Sequence, residues 1–106
     1  MTSLLLALLA TSPLKAEADA AYRAKNYEVA CPRYERLASR GRDPWAWNDL
    51  ALCETKRGGH EQALKALTTA SKLEAAVPEP TLRKAIDFNV RLLAEGVVTC
   101  RNGAAR

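Results

Sequence analysis

The sequence predicts an all-α fold, built from antiparallel helical hairpins that stack into a short solenoid with a C-terminal capping helix. Alanine and leucine dominate its 106 residues, β-branched residues are scarce, and no alternation of apolar and polar residues indicates a strand. Small and large residues also recur every 33 positions, in the pairs Ala30 and Ala63, Tyr34 and Leu67, and Leu37 and Ala70. This period is typical of stacked helix-turn-helix repeats, which usually bind other proteins.

The N-terminal residues raise a separate question of targeting. An uninterrupted apolar run from Leu4 to Ala10 is too short to span a membrane but fits the hydrophobic region of a secretory signal. Small residues at Ala16 and Ala18 offer cleavage sites, so we expect residues 1–16 to be a signal peptide and the protein to be periplasmic or secreted. The alternative is an extra N-terminal helix packed on the repeats of a cytoplasmic protein. No later segment is long and apolar enough to cross a membrane.

The first predicted hairpin spans residues 17–42. A short helix over residues 16–25 would be followed by a second helix that Asn26 caps and that Gly41 ends. Pro32 lacks a backbone donor and disfavours helical geometry at Cys31, so the second helix is expected to be kinked or to begin late.

The second predicted hairpin spans residues 44–77 and has the stronger pattern. Asp43 and Pro44 supply the cap and the first residue of a helix that runs to Arg57, and Gly58 with Gly59 forms the turn to a helix over residues 61–75. Pro78 and Pro80 end that segment, and a last helix over residues 81–95 is expected to close at Gly96. Residues 97–106 would form a flexible tail.

The residues of the second hairpin resemble a tetratricopeptide repeat (TPR). The resemblance rests on Trp47, Leu50 and Ala51, followed by Ala63, Leu67 and Ala70, at the family's spacing. Glu54 departs from the pattern, because the family has an aromatic residue there, and the closing proline comes late at Pro78. Residues 17–96 would then be one TPR-like domain: two repeats, 17–42 and 44–77, and a capping helix at 80–96.

The resemblance implies a concave groove that holds a peptide or a helix of a partner protein. In this family the first helix of each repeat lines the groove. The corresponding candidate groove residues in this sequence are Asp19, Tyr22, Arg23, Trp45, Asn48, Leu52, Lys56, Arg83, Ile86 and Val90. Two repeats and a cap are fewer than the roughly three needed for independent stability. A disulfide, self-association or docking to a larger partner would make up the difference.

Three cysteines bear on both stability and compartment: Cys31, Cys53 and Cys100. In an exported chain two of them would pair, and we favour Cys31 with Cys53 because they lie on neighbouring predicted helices. Such a bond would contribute about 3 kcal/mol. The alternative is that both are small buried thiols.

Nothing in the sequence predicts an enzyme or a cofactor. His60 is the sole histidine, and its spacing from the cysteines matches no compact zinc motif, so we expect it to pack between helices. The Gly58-Gly59 turn lacks the residues of a phosphate-binding loop.

The alternative function is binding of nucleic acid or another anionic ligand. Arg33, Arg36 and Arg40 form a basic stripe on the second helix, and Arg42 continues it beyond the helix end. Because the net charge is only +4 and acidic residues are interleaved, a solvated helix face is the better interpretation of this stripe.

Overall fold

The computed structural model describes the backbone of residues 13–104 and the side chains of residues 13–96. Within this range five α-helices and no strand are present: α1 Pro13–Arg23, α2 Tyr27–Arg40, α3 Pro44–Arg57, α4 His60–Ala76 and α5 Pro80–Ala104. The prediction of an all-α protein is confirmed. No helix of the described part is long and apolar enough to cross a membrane. The predicted signal peptide lies mostly outside the described residues.

Alanines at the helix contacts let the helices pack closely. Each helix packs on the next one in the chain, and α3 also packs on α5. Ala30, Ala51, Ala63 and Ala70 are fully buried, so the backbones that carry them can approach one another. Larger buried side chains fill the remaining space between the helices, namely Tyr34, Leu50, Leu67, Leu82 and Ile86.

The two hairpins turn in the same way. Lys25 and Gly58, 33 positions apart, both adopt a left-handed backbone, with φ of 60° and 88°. After α1, Lys25 N donates to Tyr22 O at 2.9 Å and Asn26 N to Ala21 O at 2.8 Å. After α3, the same two bonds form at 3.2 Å from Gly58 N to Thr55 O and at 2.8 Å from Gly59 N to Glu54 O. Each pair satisfies carbonyls at a helix end, so the sequence period is matched by a repeated turn geometry.

Two other connections use carboxylates to cap helices. Asp43 accepts a hydrogen bond from Trp45 N at 3.0 Å and has Pro44 beside it, which confirms the predicted start of α3. Glu74, buried near the end of α4, accepts from Glu79 N at 3.1 Å and from Arg83 Nη1 at 3.3 Å. This carboxylate therefore fixes the start of α5 against α4.

Three local predictions need correction. The helix α2 begins at Tyr27 and runs through Pro32, so it does not start late: the proline costs one backbone bond near the N-terminal end. Asn26 stands at the N-cap position, but its side chain makes no capping bond. Gly96 does not end the last helix, because α5 continues to Ala104 across part of the predicted tail.

A disulfide joins Cys31 of α2 to Cys53 of α3, with the two Cα atoms 5.6 Å apart. Both cysteines are buried, and the bond closes a loop between the two hairpins. The structure thus pairs the two cysteines that the sequence analysis favoured. The side chain of Cys100 lies outside the described residues.

Glu54 is the buried carboxylate at the position where the TPR pattern has an aromatic residue. Arg57, one turn later, donates from Nη2 to its Oε2 at 2.9 Å. The same guanidinium donates from Nη1 to Glu28 Oε2 on α2 at 3.3 Å. The departure from the pattern is therefore compensated by an arginine that also links the two hairpins.

Candidate functional site

A groove separates α1 from α3 and has Tyr34 of α2 as its floor. It consists of two adjacent clefts of about 180 and 140 Å³ that share Lys15, Tyr34 and Asp49. The larger cleft is also lined by Asp19, Tyr22 and Leu52, and the smaller one by Leu37, Asp43, Trp45 and Ala46. We call this surface the α1–α3 groove.

The groove exists because α1 and α3 do not pack as α3 and α5 do. Between α3 and α5, the Asn89 side-chain amide donates to Asn48 Oδ1 at 2.9 Å in a buried contact. Between α1 and α3 there is no packing of comparable extent. The Tyr34 ring lies below the gap and makes an edge contact with Tyr22, with ring centroids 6.4 Å apart. A surface-exposed channel is therefore left open over an aromatic floor.

Asp19 is the most strongly bonded carboxylate of the groove. The Tyr34 hydroxyl donates to its Oδ1, and Lys15 Nζ lies 2.9 Å from its Oδ2. Burial acts to raise the pKa of Asp19, but the bonds from Tyr34 and Lys15 outweigh it and lower the pKa below its usual value. Burial and the bond to Asp19 raise the pKa of Tyr34, so this hydroxyl stays protonated and keeps donating.

Asp49 is the carboxylate of the groove that lacks such support. Burial, together with the charges of Asp19 and Asp43, raises its pKa to about 6, although Lys15 acts in the opposite direction. Asp43 is occupied as the cap of α3. Asp49 forms no hydrogen bond or ion pair with the described residues. It is a partly buried carboxylate that faces the groove without a counter-charge bonded to it.

The structure brings some of the predicted groove residues together. Tyr22, Leu52 and Trp45 line the groove, and so does Asp19. Trp45 is partly buried, and its Nε1 lies 3.3 Å from each carboxylate oxygen of Glu79. The indole thus links the start of α3 to the start of α5 as well as lining the smaller cleft.

Other predicted groove residues lie elsewhere. Asn48 and Ile86 are 5% and 0% exposed, so they belong to the core between α3 and α5. Arg83 is held by Glu74, Ser71 and Asp87, and it anchors α5. Three further members of the set are exposed outside the residues that line the two clefts: Arg23, Lys56 and Val90.

Sequence reasoning missed Lys15, Tyr34 and Asp49, which both clefts share. Lys15 lies within the expected signal peptide, and Tyr34 belongs to the 33-residue recurrence and is buried. Asp49 follows Trp45 by four residues and precedes Leu52 by three, so it shares their helix face. That spacing could have identified Asp49 as a groove residue.

The remaining candidates are simply placed. Arg36, Arg40 and Arg42 are exposed, whereas Arg33 Nε lies 3.7 Å from Glu17 Oε2. The Cε1 atom of His60 lies 3.4 Å from where a side chain at Gly96 would begin, which places it between α4 and α5. Among the residues that the structure describes, no three histidine, cysteine or acidic side chains come together as a metal site.

No protein-family model, curated protein or solved structure matches this chain. What the molecule does must therefore be inferred from its own surface.

Proposed function

We propose that this chain is a non-catalytic interaction module, a short TPR-like solenoid that binds a peptide or helix of a partner protein in the α1–α3 groove. The observation that carries the proposal is the groove itself, an open channel between the first helices of two similar hairpins. Its lining combines aromatic and aliphatic side chains with a few charged groups, a composition suited to binding a polypeptide.

The repeated turn supports the solenoid arrangement. Lys25 and Gly58 close their hairpins with the same left-handed backbone and the same pair of hydrogen bonds, at the spacing at which the sequence pattern recurs. The contact of α3 with α5 supports it for the second hairpin and the helix that follows, since the first helices of successive repeats are expected to lie side by side. Between α1 and α3 the α1–α3 groove takes the place of such a contact. In this arrangement α5 takes the place of a cap.

The disulfide supports an exported protein. A bond between Cys31 and Cys53 persists in an oxidising compartment, such as the periplasm or the extracellular space, and is rare in a reducing cytosol. We therefore propose a periplasmic or secreted location, with residues 1–16 as the signal peptide. N-terminal sequencing and the intact mass of the native protein would test both points together.

Affinity capture from a native envelope extract tests the binding function. The immobilised chain should retain one partner in a stoichiometric amount, and the double variant Tyr22→Ala/Leu52→Ala should lose it. The matched control is Leu64→Ala, which removes a side chain that is 58% exposed on α4, outside the groove. A folded chain that retains no partner, or retains one equally in all three forms, would contradict the proposal.

The alternative function, binding of nucleic acid through the exposed arginines, can be tested directly. Binding of DNA or RNA through Arg36, Arg40 and Arg42 would weaken steeply as salt is added, because phosphate contacts release counterions. We expect no such binding, since acidic side chains of α2 accompany the arginines. Salt-dependent retention of either nucleic acid, lost in the triple alanine variant, would reverse that expectation.

A further inference from the structure

The α1–α3 groove differs in charge from the molecule as a whole. The chain carries a formal net charge of +4, yet the groove contains three carboxylates, Asp19, Asp43 and Asp49, and one lysine, Lys15. Two of these carboxylates serve the fold, since Asp19 is bonded to Lys15 and Tyr34 and Asp43 caps α3. Asp49 is left over.

The environment of Asp49 favours a cation. It lines both clefts, one of which is also lined by Tyr22 and the other by Trp45. A partly buried carboxylate gains more from an opposite charge than one in open water does, because fewer solvent molecules screen the pair.

The shape of the groove indicates a chain and not a compact molecule. Each cleft, at about 180 and 140 Å³, is smaller than the roughly 300–1,000 Å³ typical of pockets for small molecules. The two clefts are separate but share Lys15, Tyr34 and Asp49, so they offer two neighbouring side-chain sites. The apolar lining of Leu37, Leu52 and Ala46 suits aliphatic neighbours of a basic residue.

We propose that the α1–α3 groove binds an extended basic segment of a partner polypeptide, with one lysine or arginine side chain paired to Asp49. The proposal rests on the function proposed above and adds the chemical class of the partner. The peptide's apolar residues occupy the clefts on either side of that ion pair. In the chain that keeps residues 1–16, the ammonium group of Lys15 opposes the incoming charge.

Binding is expected to depend on pH through Asp49. The charged and titratable groups that face it are Lys15, Asp19 and Tyr22 from α1, Tyr34 from α2, and Asp43 at the start of α3. Asp49 has a pKa of about 6, so it is largely neutral at pH 5 and ionised at pH 8. Basic segments should therefore bind more tightly at pH 8.

Peptide pools of matched composition provide the test. Each pool holds one fixed residue flanked by randomised leucine, isoleucine and valine, with blocked ends so that the fixed residue alone carries charge. The fixed residue is lysine, norleucine or glutamate. Binding to the full chain, which keeps residues 1–16, is followed by NMR at the backbone amides of residues 15, 19, 22, 49 and 52.

The lysine pool should bind about five- to tenfold more tightly than the norleucine pool at pH 8, and the glutamate pool should bind least. Asp49→Asn should abolish the preference and its pH dependence, Asp49→Glu should retain part of it, and Lys15→Gln should increase it. Leu64→Ala should change nothing. Equal binding of the three pools, or a lysine preference that survives in Asp49→Asn, would overturn the proposal.

Failure here can be told from failure of the proposed function. If the captured partner depends on Tyr22 and Leu52 but not on Asp49, the groove binds a partner of another charge class. If the lysine pool is preferred and no groove-dependent partner is captured, the charge preference stands and the assembly role fails.

Discussion

The left-handed residues that close the two hairpins differ in chemistry although they share a conformation. Gly58 adopts its φ of 88° at no steric cost, whereas Lys25 adopts φ of 60° with a Cβ atom that clashes with the backbone in this region. Nothing lies within 4 Å of where a Cβ atom would stand at Gly58, so a substitution there is opposed by the backbone alone. The two positions therefore form a reciprocal test of the turn.

We expect Lys25→Gly to raise the free energy of unfolding by up to about 1 kcal/mol, and Gly58→Ala to lower it by a similar amount. Relief of the strained backbone exceeds the extra entropy that glycine gives the unfolded chain. Urea unfolding followed by circular dichroism would measure both, with Gly41→Ala, in an open turn with extended backbone, as the control. A Lys25→Gly variant less stable than the parent would contradict the expectation.

Ionisation of Asp49 should lower the free energy of unfolding as the pH rises. Its pKa in the folded protein, about 6, exceeds the ordinary value of 3.8, so between these values the folded state holds a proton that the unfolded state has released. Stability from this group is present below pH 4 and is lost as the pH rises to about 6.

Asp49→Asn should therefore be more stable than the parent at pH 8, by about 1 kcal/mol for a carboxyl that is only partly buried. At pH 3.5 the two should be equal. Unfolding by urea at both pH values measures this. A stability difference that stays constant with pH would show that Asp49 does not titrate as its surroundings indicate.

At the scale of the helices, a disulfide links two helices that belong to different hairpins. The Cys31–Cys53 disulfide ties α2 to α3 across the boundary between the hairpins. Closing a loop with a sequence separation of 22 residues restricts the unfolded chain and should contribute about 3 kcal/mol.

Reduction by dithiothreitol should therefore lower the unfolding free energy by about 3 kcal/mol. The measurement is best made on Cys100→Ser, so that the third thiol cannot exchange with the bond. The double variant Cys31→Ala/Cys53→Ala should behave like the reduced protein. If neither treatment changes the unfolding midpoint, the bond does not stabilise the fold.

The contact between α3 and α5 depends on the buried Asn48–Asn89 hydrogen bond. Asn48→Ala leaves a buried amide unpaired and should cost about 1–3 kcal/mol. Asn48→Ala/Asn89→Ala should lose less than the sum of the two single variants, because each single change already breaks the bond. Additive losses in denaturant titrations would mean that the two amides act independently.

At the scale of the whole molecule, α5 covers faces of α3 and α4 that would otherwise be exposed. Leu82, Ile86 and Leu93 are buried on its inner side, while Phe88 is 57% exposed on the outer side. A chain ending at Val77 should therefore lose cooperative thermal unfolding, since the surfaces of α3 and α4 on which α5 packs would be exposed to water.

The matched control for that truncation is Phe88→Ser in the full chain, which should change stability by less than about 0.5 kcal/mol. Circular dichroism during heating distinguishes the two cases. A truncated chain that still unfolds in one sharp transition would contradict the proposed role of α5 as a cap.

The helices could be predicted from the sequence because their signals are local. Each signal acts within a few residues: the frequent alanines, the cap and turn residues around Asp43 and Gly58, and the prolines near α5. The two wrong predictions of helix bounds also have local causes. Pro32 and Gly96 are residue types that disfavour helices, but the helices around them continue through both positions.

The groove was harder to predict because its properties depend on distant pairs. Asn48 and Ile86 share the helical spacing of groove residues, but α5 buries them against α3. The pKa of Asp49 reflects its burial first, and then the charges of Lys15 and Asp19, which lie about thirty residues away on another helix. The spacing of residues along a helix shows which of them share one face, but it does not show which other helix packs on that face.

Because Lys15 lies near the start of α1, removal of the signal peptide would change the charge of the α1–α3 groove. Its ammonium group is the ion partner of Asp19, and it lies on the N-terminal side of both expected cleavage sites. A cut after Ala16 would remove that lysine and leave residues 17–23 of α1 beside the groove. The precursor and the mature chain would then present different electrostatic surfaces to the same partner, and the precursor would be the weaker binder of a basic segment.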